Sequence, residues 1–244
     1  MMHMEKVIAI TGASSGIGEA SARRLAQSGA TIFMGARRLE KLEAIAQEIN
    51  AAGGKAYAHA LDVTSRRSMD AFISAAVTQA GRVDVLVNNA GIMLLGPLDE
   101  TDPDEWDRMV DVNIKGVLHG IGAVLPVMRR QGHGHVINVA SIAGLRVRAG
   151  ATVYCATKHA VRAISEGFRQ EAGPHLRSTL ISPGVVSTEL PNHITHAQWA
   201  ADSKDAYEIA ISADVIARAI AYAIEQPSTV DVNEIVIRPT AQAS

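Results

Sequence analysis

Short runs of β-branched and apolar residues alternate along this chain with longer stretches of helical periodicity, and that rhythm leaves few folds open. The candidate strands are Val7–Thr11, Thr31–Ala36, Lys55–Leu61, Val83–Asn88, His135–Ala140, Ser178–Ser182 and Glu234–Arg238. Their apolar residues come in nearly continuous runs, as in strands covered on both faces. Between them lie helical patterns at Gly18–Ser28, Leu39–Ala52, Ser65–Gln79, Asp104–Arg130, Ala151–Glu171 and Ser212–Glu225. Gly53-Gly54, Gly81 and Pro227 punctuate helix ends. Strand–helix alternation at this spacing predicts βαβ units, right-handed crossovers and a seven-stranded parallel sheet with helices on both faces, an α/β doubly wound fold. No linker, repeat or low-complexity segment interrupts the pattern, so residues 1–244 are expected to form a single domain. Ser187–Asp205 departs from the rhythm. It is polar, carries Pro191, His193, His196 and Trp199, follows a strand end, and is expected to be a lid over a site.

Composition narrows the function classes. Hydrophobic residues make up 48% of 244 residues, enough for a large core and too many for a disordered chain. The formal net charge is −2 with both signs mixed along the chain, so no basic stripe points to nucleic acid. Val7–Ile10 is too short for the apolar core of a leader, and no uninterrupted apolar run reaches the ~18 residues of a membrane span. The single cysteine, Cys155, excludes an intrachain disulfide and suits a reducing compartment. The expectation is a cytoplasmic protein without a membrane or nucleic-acid partner.

Thr11–Gly18 reads TGASSGIG, directly after the first strand and at the start of the first helix. Gly12 can take backbone angles that a Cβ forbids, and Gly16 and Gly18 let a helix N-terminus approach a phosphate and pack on the sheet. The helix dipole and open N–H groups favour a pyrophosphate. The spacing differs from the general dinucleotide fingerprint Gly-x-Gly-x-x-Gly, and a plain tight β–α turn is the alternative. The second strand ends in Gly35-Ala36-Arg37-Arg38, where an acidic residue would hold the ribose hydroxyls of NAD. Two arginines suit a 2′-phosphate instead, which points to NADP(H). The alternative is two solvated arginines opening a helix, an unfavourable place for cations.

Tyr154 and Lys158 lie four residues apart in a helical pattern, so both share one face. A nearby ammonium stabilises a tyrosinate and tunes the phenol for proton exchange with an alcohol or carbonyl. A bare Tyr/Lys pair on a helix surface is common; two other residues strengthen this one. Ser141 follows the strand His135–Ala140, and Asn113 lies in Asp111–Gly116 within the long helical stretch, where a buried amide needs partners.

Together these motifs resemble the short-chain dehydrogenase/reductase family over almost the whole chain. TGASSGIG is similar to the family's cofactor turn, Asn88-Asn89-Ala90-Gly91 to its motif after the fourth strand, and Asn113, Ser141, Tyr154 and Lys158 to its catalytic tetrad. Pro183-Gly184 with Val186 and Thr188 resembles the nicotinamide-side loop, and Asp62 with Val63 the adenine-contacting position. The resemblance implies a Rossmann-type fold and an oxidoreductase transferring hydride between NADP(H) and a carbonyl or alcohol of a small substrate. It implies Tyr154 as general acid/base, Lys158 lowering its pKa and bonding the nicotinamide ribose, Ser141 orienting the substrate oxygen, and Asn113 holding a water behind Lys158. Ser14, Ser15, Ile17, Arg37, Arg38, Asn89, Ala90 and Gly91 are then cofactor contacts beside the glycines. It also implies a homotetramer or dimer assembled through Asp104–Arg130 and Ala151–Glu171. Gly91–Pro97, His193–His196 and Glu234–Thr240 resemble the branch that contains clavulanic acid dehydrogenase and is close to the 3-hydroxy acid and serine dehydrogenases, which favours a small polar carbonyl or hydroxy acid.

Two other readings stay open on the residues: a non-catalytic NADP(H)-binding sensor or scaffold, and another enzyme class on the same scaffold, such as an epimerase or dehalogenase. The intact tetrad argues against the first and the intact glycine turn against a dehalogenase. The nine histidines form no Cys/His cluster or HExxH pair, so no metal is expected. Cys155 reads as a small packed residue. The expected substrate lining is Ile92–Leu95, Ile142–Arg148, Val185–Val186 and the lid. Arg146, Arg148, His193 and His196 are at hand either for a carboxylate or as solvated rim residues.

Overall fold

The computed structural model describes residues 5–242, with backbone only at 204–206. The first four and last two residues of the expected single domain lie outside the described residues. Seven parallel strands form one sheet: β1 (Val7–Thr11), β2 (Thr31–Ala36), β3 (Lys55–Ala60), β4 (Val85–Asn88), β5 (Gly134–Val139), β6 (Leu176–Pro183) and, last in the chain, β9 (Glu234–Ile237). Their order is β3-β2-β1-β4-β5-β6-β9. The chain builds outward from β1 to one edge, then restarts at β4 on the other side. A crevice therefore opens at the carboxyl ends of β1 and β4, where the strand order reverses. This is the expected Rossmann-type α/β fold.

The two faces of the sheet separate with the two-residue period of a strand. Ile8, Ile10, Met34, Val85 and Val87 face Leu25 of α1 (Gly16–Gln27), Leu42 of α2 (Leu39–Ala51), and Ile216 and Ile220 of α8 (Ala213–Glu225). Ala9, Phe33, Leu86 and Val136 face Phe72 of α3 (Arg66–Ala80), Val124 and Met128 of α5 (Gly116–Gln131), and Phe168 of α6 (Thr152–Glu171). Each such Leu, Ile or Phe contributes roughly 1.5–3 kcal/mol by leaving water. The inner strands β1, β4, β5 and β6 are buried throughout. Burial of every strand on both faces does not hold at the edges: β3 and β9 are half-exposed, because among the described residues one flank of each has no neighbouring strand.

Helix ends follow local chemistry. Ser65 and Ser212 accept hydrogen bonds from Ser68 N and Asp214 N at the starts of α3 and α8. Gly81 and Gly132 close α3 and α5 in left-handed conformations. Arg177 of β6 is buried and donates to the carbonyls of Ala223, Ile224, Gln226 and Val230, gathering the open end of α8.

The expected uninterrupted helix Asp104–Arg130 is a composite. α4 (Pro103–Val110) passes through a π-helical turn, Asp111–Lys115, into α5. Such a turn widens the helix by one residue and re-aims a side chain, here Asn113. Among the described residues, Pro103–Gln131 is also the one helix long and apolar enough, by length and composition, to cross a membrane. Its Val117, Val124 and Met128 are buried within this chain.

The segment expected as a lid has structure of its own. β7 (Val186–Ser187) pairs in parallel with β8 (Ile211–Ser212), a two-stranded ribbon at its base. Between them run a 3-10 turn, Leu190–His193, and α7 (Ala197–Tyr207). Trp199 packs on Gly150, where the backbone is left-handed and a Cβ would strike the indole.

Candidate active site

The crevice holds a groove of about 530 Å³. It begins at the glycine turn. Gly12 has a φ of +67°, and a Cβ there would come within 2.8 Å of Ala90 Cα. The turn is clamped from β4: Thr11 Oγ1 accepts from the N–H groups of Asn89 and Ala90, both at 3.0 Å, while Asn89 Nδ2 donates to Thr11 O and Gly12 O at 3.0 and 3.2 Å. Ser15 caps α1 by position but makes no side-chain bond to its first turn, so the helix presents open N–H groups to the groove.

Gly12, Ser14, Ser15, Gly16, Ile17, Arg37, Arg38, Asp62, Val63, Asn89, Ala90, Gly91, Ser141, Tyr154, Lys158, Pro183, Gly184, Val186 and Thr188 all line this groove. Two expected site residues do not. Gly18 is buried behind the turn, where a Cβ would meet Asn89 Nδ2 at 2.6 Å; its smallness serves close fit of α1 on the turn rather than a groove contact. Asn113 is also buried, one layer back. Its Oδ1 accepts from Ile92 N and its Nδ2 donates to Ile92 O, each at 2.9 Å, and to Thr157 Oγ1 at 3.1 Å. Asn113 thus anchors the strand-like stretch after Gly91 to α6.

Ser141 sits at the start of a 3-10 turn, Ile142–Gly144, with its hydroxyl accepting from Ala143 N. The same hydroxyl donates to Pro183 O at 3.4 Å and lies on the Tyr154 side of the groove, and Lys158 Nζ lies 5.7 Å from the Tyr154 ring centre while donating to Val139 O at 3.2 Å. Burial pushes the Tyr154 phenol well above its ordinary value, and the Ser141 hydrogen bond offsets only part of that. Burial also draws Lys158 down to about 8. In the free site burial is the largest influence on both groups, raising Tyr154 and lowering Lys158.

At the end of the groove beside β2, Arg38 opens α2 and reaches back to the glycine turn. It bonds Ser14 Oγ at 3.0 Å, Ser15 Oγ at 2.9 Å and Glu189 Oε2 at 2.6 Å. Lys41 Nζ reaches the other Glu189 oxygen at 3.2 Å. Asp62 accepts from the N–H and hydroxyl of Thr64, a tight turn at the groove's edge. His193 faces Arg37, Arg38 and Arg108; burial first, then those charges, hold it below its ordinary value.

The substrate end differs from expectation. Ile92 and Val186 line the groove, but Met93, Leu94 and Leu95 turn inward to pack with Tyr154, Cys155 and Ile194. Ile142–Arg148 and Val185 lie off the groove wall, with Arg146 and Arg148 exposed. His196 is turned away, with Nε2 3.0 Å from Glu100. His193 and Leu190 of the expected lid do line the groove, joined by Arg108, Asp111 and Tyr207, which no local motif flags. Among the described residues no cluster of three or more His, Cys, Asp or Glu is placed to hold a metal.

The short chain dehydrogenase family profile matches residues 6–199. An uncharacterized oxidoreductase of Staphylococcus saprophyticus is 50% identical over 242 residues, covering 98% of each chain. Among solved structures, an alcohol dehydrogenase from Thermococcus sibiricus complexed with 5-hydroxy-NADP superimposes with a TM-score of 0.89 at 32% identity, covering 99% of both chains. The closed form of a serine dehydrogenase complexed with NADP+ gives 0.91 at 31%, covering 98% of this chain and 96% of the other. A short-chain dehydrogenase/reductase from Burkholderia phymatum in complex with NAD gives 0.87 at 28%, covering 97% and 90%. The profile match, the near full-length relatives and the shared sheet place this chain in the short-chain dehydrogenase/reductase family, as an oxidoreductase acting on CH–OH and C=O groups.

Proposed function

We propose that the enzyme is NADP(H)-dependent and interconverts a small carbonyl compound and its alcohol, with Tyr154 as general acid/base. The observation that carries this is that Ser141, Tyr154 and Lys158 line one groove together, with Lys158 one helical turn from Tyr154 on α6. The residues fit a dinucleotide: a Cβ would fill the cradle at Gly12, and the open start of α1 suits a pyrophosphate. Arg38, with no acidic residue at the end of β2, suits a 2′-phosphate. When bound, the cofactor supplies or takes the hydride.

The chain's own groups handle the proton. A phenol held above its ordinary pKa stays protonated at neutral pH, so Tyr154 is ready to donate to a carbonyl oxygen that Ser141 also bonds. Lys158, when charged, stabilises the tyrosinate that this leaves. Asn113 Oδ1 keeps one lone pair beyond its bond to Ile92 N. A Cβ on Gly91 would sit 3.3 Å from that oxygen and 3.6 Å from Lys158 Nζ, so the glycine keeps room between them for a water that returns a proton to Lys158. Tyr207 lines the groove and Arg148 is the cation that acts on both Tyr154 and Tyr207, which favours a small oxo or hydroxy acid at that end. The segment from 187 closes over this end as a lid.

Leu118 on α5, and Tyr222, Val230 and Val236 near the β9 edge, are exposed apolar side chains that support a homotetramer, or a dimer. The lone buried thiol of Cys155 suits a cytoplasmic setting. The test is NADPH absorbance with aldehydes, ketones and oxo acids. Consumption with an oxo acid and not with its decarboxylated aldehyde supports the reading. NADPH binding with no turnover across the panel favours a non-catalytic NADP(H) sensor.

A further inference from the structure

The proposed chemistry has no use for the carboxylate of Glu189, yet the structure gives it a definite place. Glu189 lies between Thr188, whose side chain covers Gly16, and the turn Leu190–His193. It is 151 residues from Arg38 in sequence and bonds it at 2.6 Å. Lys41 holds the second oxygen, and the same guanidinium takes the Ser14 and Ser15 hydroxyls. Two cations therefore converge on a single carboxylate, and the Ser14 and Ser15 hydroxyls hold the remaining nitrogens of the same guanidinium. This is a partner set for a phosphate, which offers more charge and more oxygens than a carboxylate. The guanidinium nitrogen that Glu189 occupies cannot serve both anions fully, and the two would repel.

We infer that Glu189 is a built-in competitor of the 2′-phosphate: it stands in for that group on Arg38 and Lys41, ties the segment 188–193 across the groove, and must be displaced when a 2′-phosphorylated adenosine binds. This rests on the NADP(H) reading above and adds a residue that sets how strongly the enzyme prefers that cofactor. Glu189 keeps its charge throughout the neutral range, because the Arg38 and then the Lys41 hydrogen bond hold it down at about 2. The pair is displaceable, since both side chains are more than two-fifths exposed and water screens their attraction. NADH lacks the 2′-phosphate and does not contend for Arg38, so Glu189 weakens NADPH binding selectively.

The test is calorimetric titration of the purified chain, Glu189→Gln, Glu189→Ala and Arg38→Ala with NADPH, NADH and 2′,5′-ADP at one fixed salt concentration. Both Glu189 variants are expected to tighten NADPH and 2′,5′-ADP about three- to tenfold and to move NADH by less than about twofold, the scale of an exposed ion pair. Arg38→Ala is expected to weaken NADPH and 2′,5′-ADP and spare NADH. If Arg38→Ala is selective but the Glu189 variants leave the NADPH/NADH ratio unchanged or lower it, the competitor is overturned and the NADP(H) reading stands. If Arg38→Ala weakens both cofactors alike, the 2′-phosphate site and the competitor fall together.

Discussion

Lys158 and Tyr154 lie one helical turn apart on α6, and burial shifts their proton affinities in opposite directions. The pair's spacing is legible in sequence, but the direction of its pKa shifts is not, because desolvation depends on what the rest of the chain stacks around it. Burial keeps the phenol protonated and brings the ammonium close to neutrality, to about 8. Carbonyl reduction needs the charged ammonium opposite the tyrosinate that forms. Its kcat/KM is therefore expected to be level at lower pH and to fall above about pH 8, as Lys158 loses its proton. A profile flat to pH 10 would remove Lys158 from that role. His135 is a second buried titratable group. Thr179 Oγ1 donates to Val232 O, so it accepts from His135 Nε2, which leaves Nδ1 bare and without a partner. Burial, and then Arg177, hold its pKa well below 6.5. The folded chain thus resists protonation while the unfolded chain binds a proton below pH 6.5. Stability attributable to this group is complete above that pH and declines as pH falls, by up to about 1.4 kcal/mol per unit. His135→Val is expected to flatten the loss of denaturation midpoint between pH 7 and 5; an unchanged loss would place the acid sensitivity elsewhere.

At the scale of elements, the site depends on departures from regular structure. The π turn at Asp111–Lys115 delivers Asn113 to both backbone groups of Ile92. Asn113→Leu leaves that buried N–H and C=O unpaired and is expected to cost about 2 kcal/mol in denaturant unfolding, with an unchanged m-value. A loss below the error of extrapolation would mean that the Ile92 stretch finds other partners. Nothing in Asp111–Gly116 announces the turn, because one extra residue barely disturbs a helical pattern. The glycine turn, the inner strands and the Gly81 end of α3 are legible because their signals are local: a Cβ that cannot fit, a continuous apolar run, a glycine after a helix. The ribbon of β7 and β8 is not, since two-residue strands carry no periodicity. Gly18 was read as a groove contact because motif spacing cannot tell a glycine that faces a ligand from one that backs the turn.

Across the whole molecule, the sheet order brings together groups far apart in the chain. The glycine turn on β1, Asn89 after β4, Ser141 after β5 and Pro183 at the end of β6 meet at one carboxyl edge. That convergence follows from the parallel topology that the strand–helix rhythm predicts, so most of the groove could be anticipated. Arg108, Tyr207 and the Glu189–Arg38 pair could not, because each depends on how the segment after β7 folds back over the sheet. The same topology leaves α5 and the β9 edge with exposed apolar side chains, for which the proposed oligomer supplies cover. Tyr154 is proposed to donate the proton in a groove whose cofactor end works without it. Single-turnover NADPH oxidation by Tyr154→Phe, with NADPH affinity titrated in parallel, separates the two. A rate loss of about a hundred- to ten-thousand-fold with affinity unchanged is expected. A variant that binds NADPH normally and still turns over at the wild-type rate would contradict it.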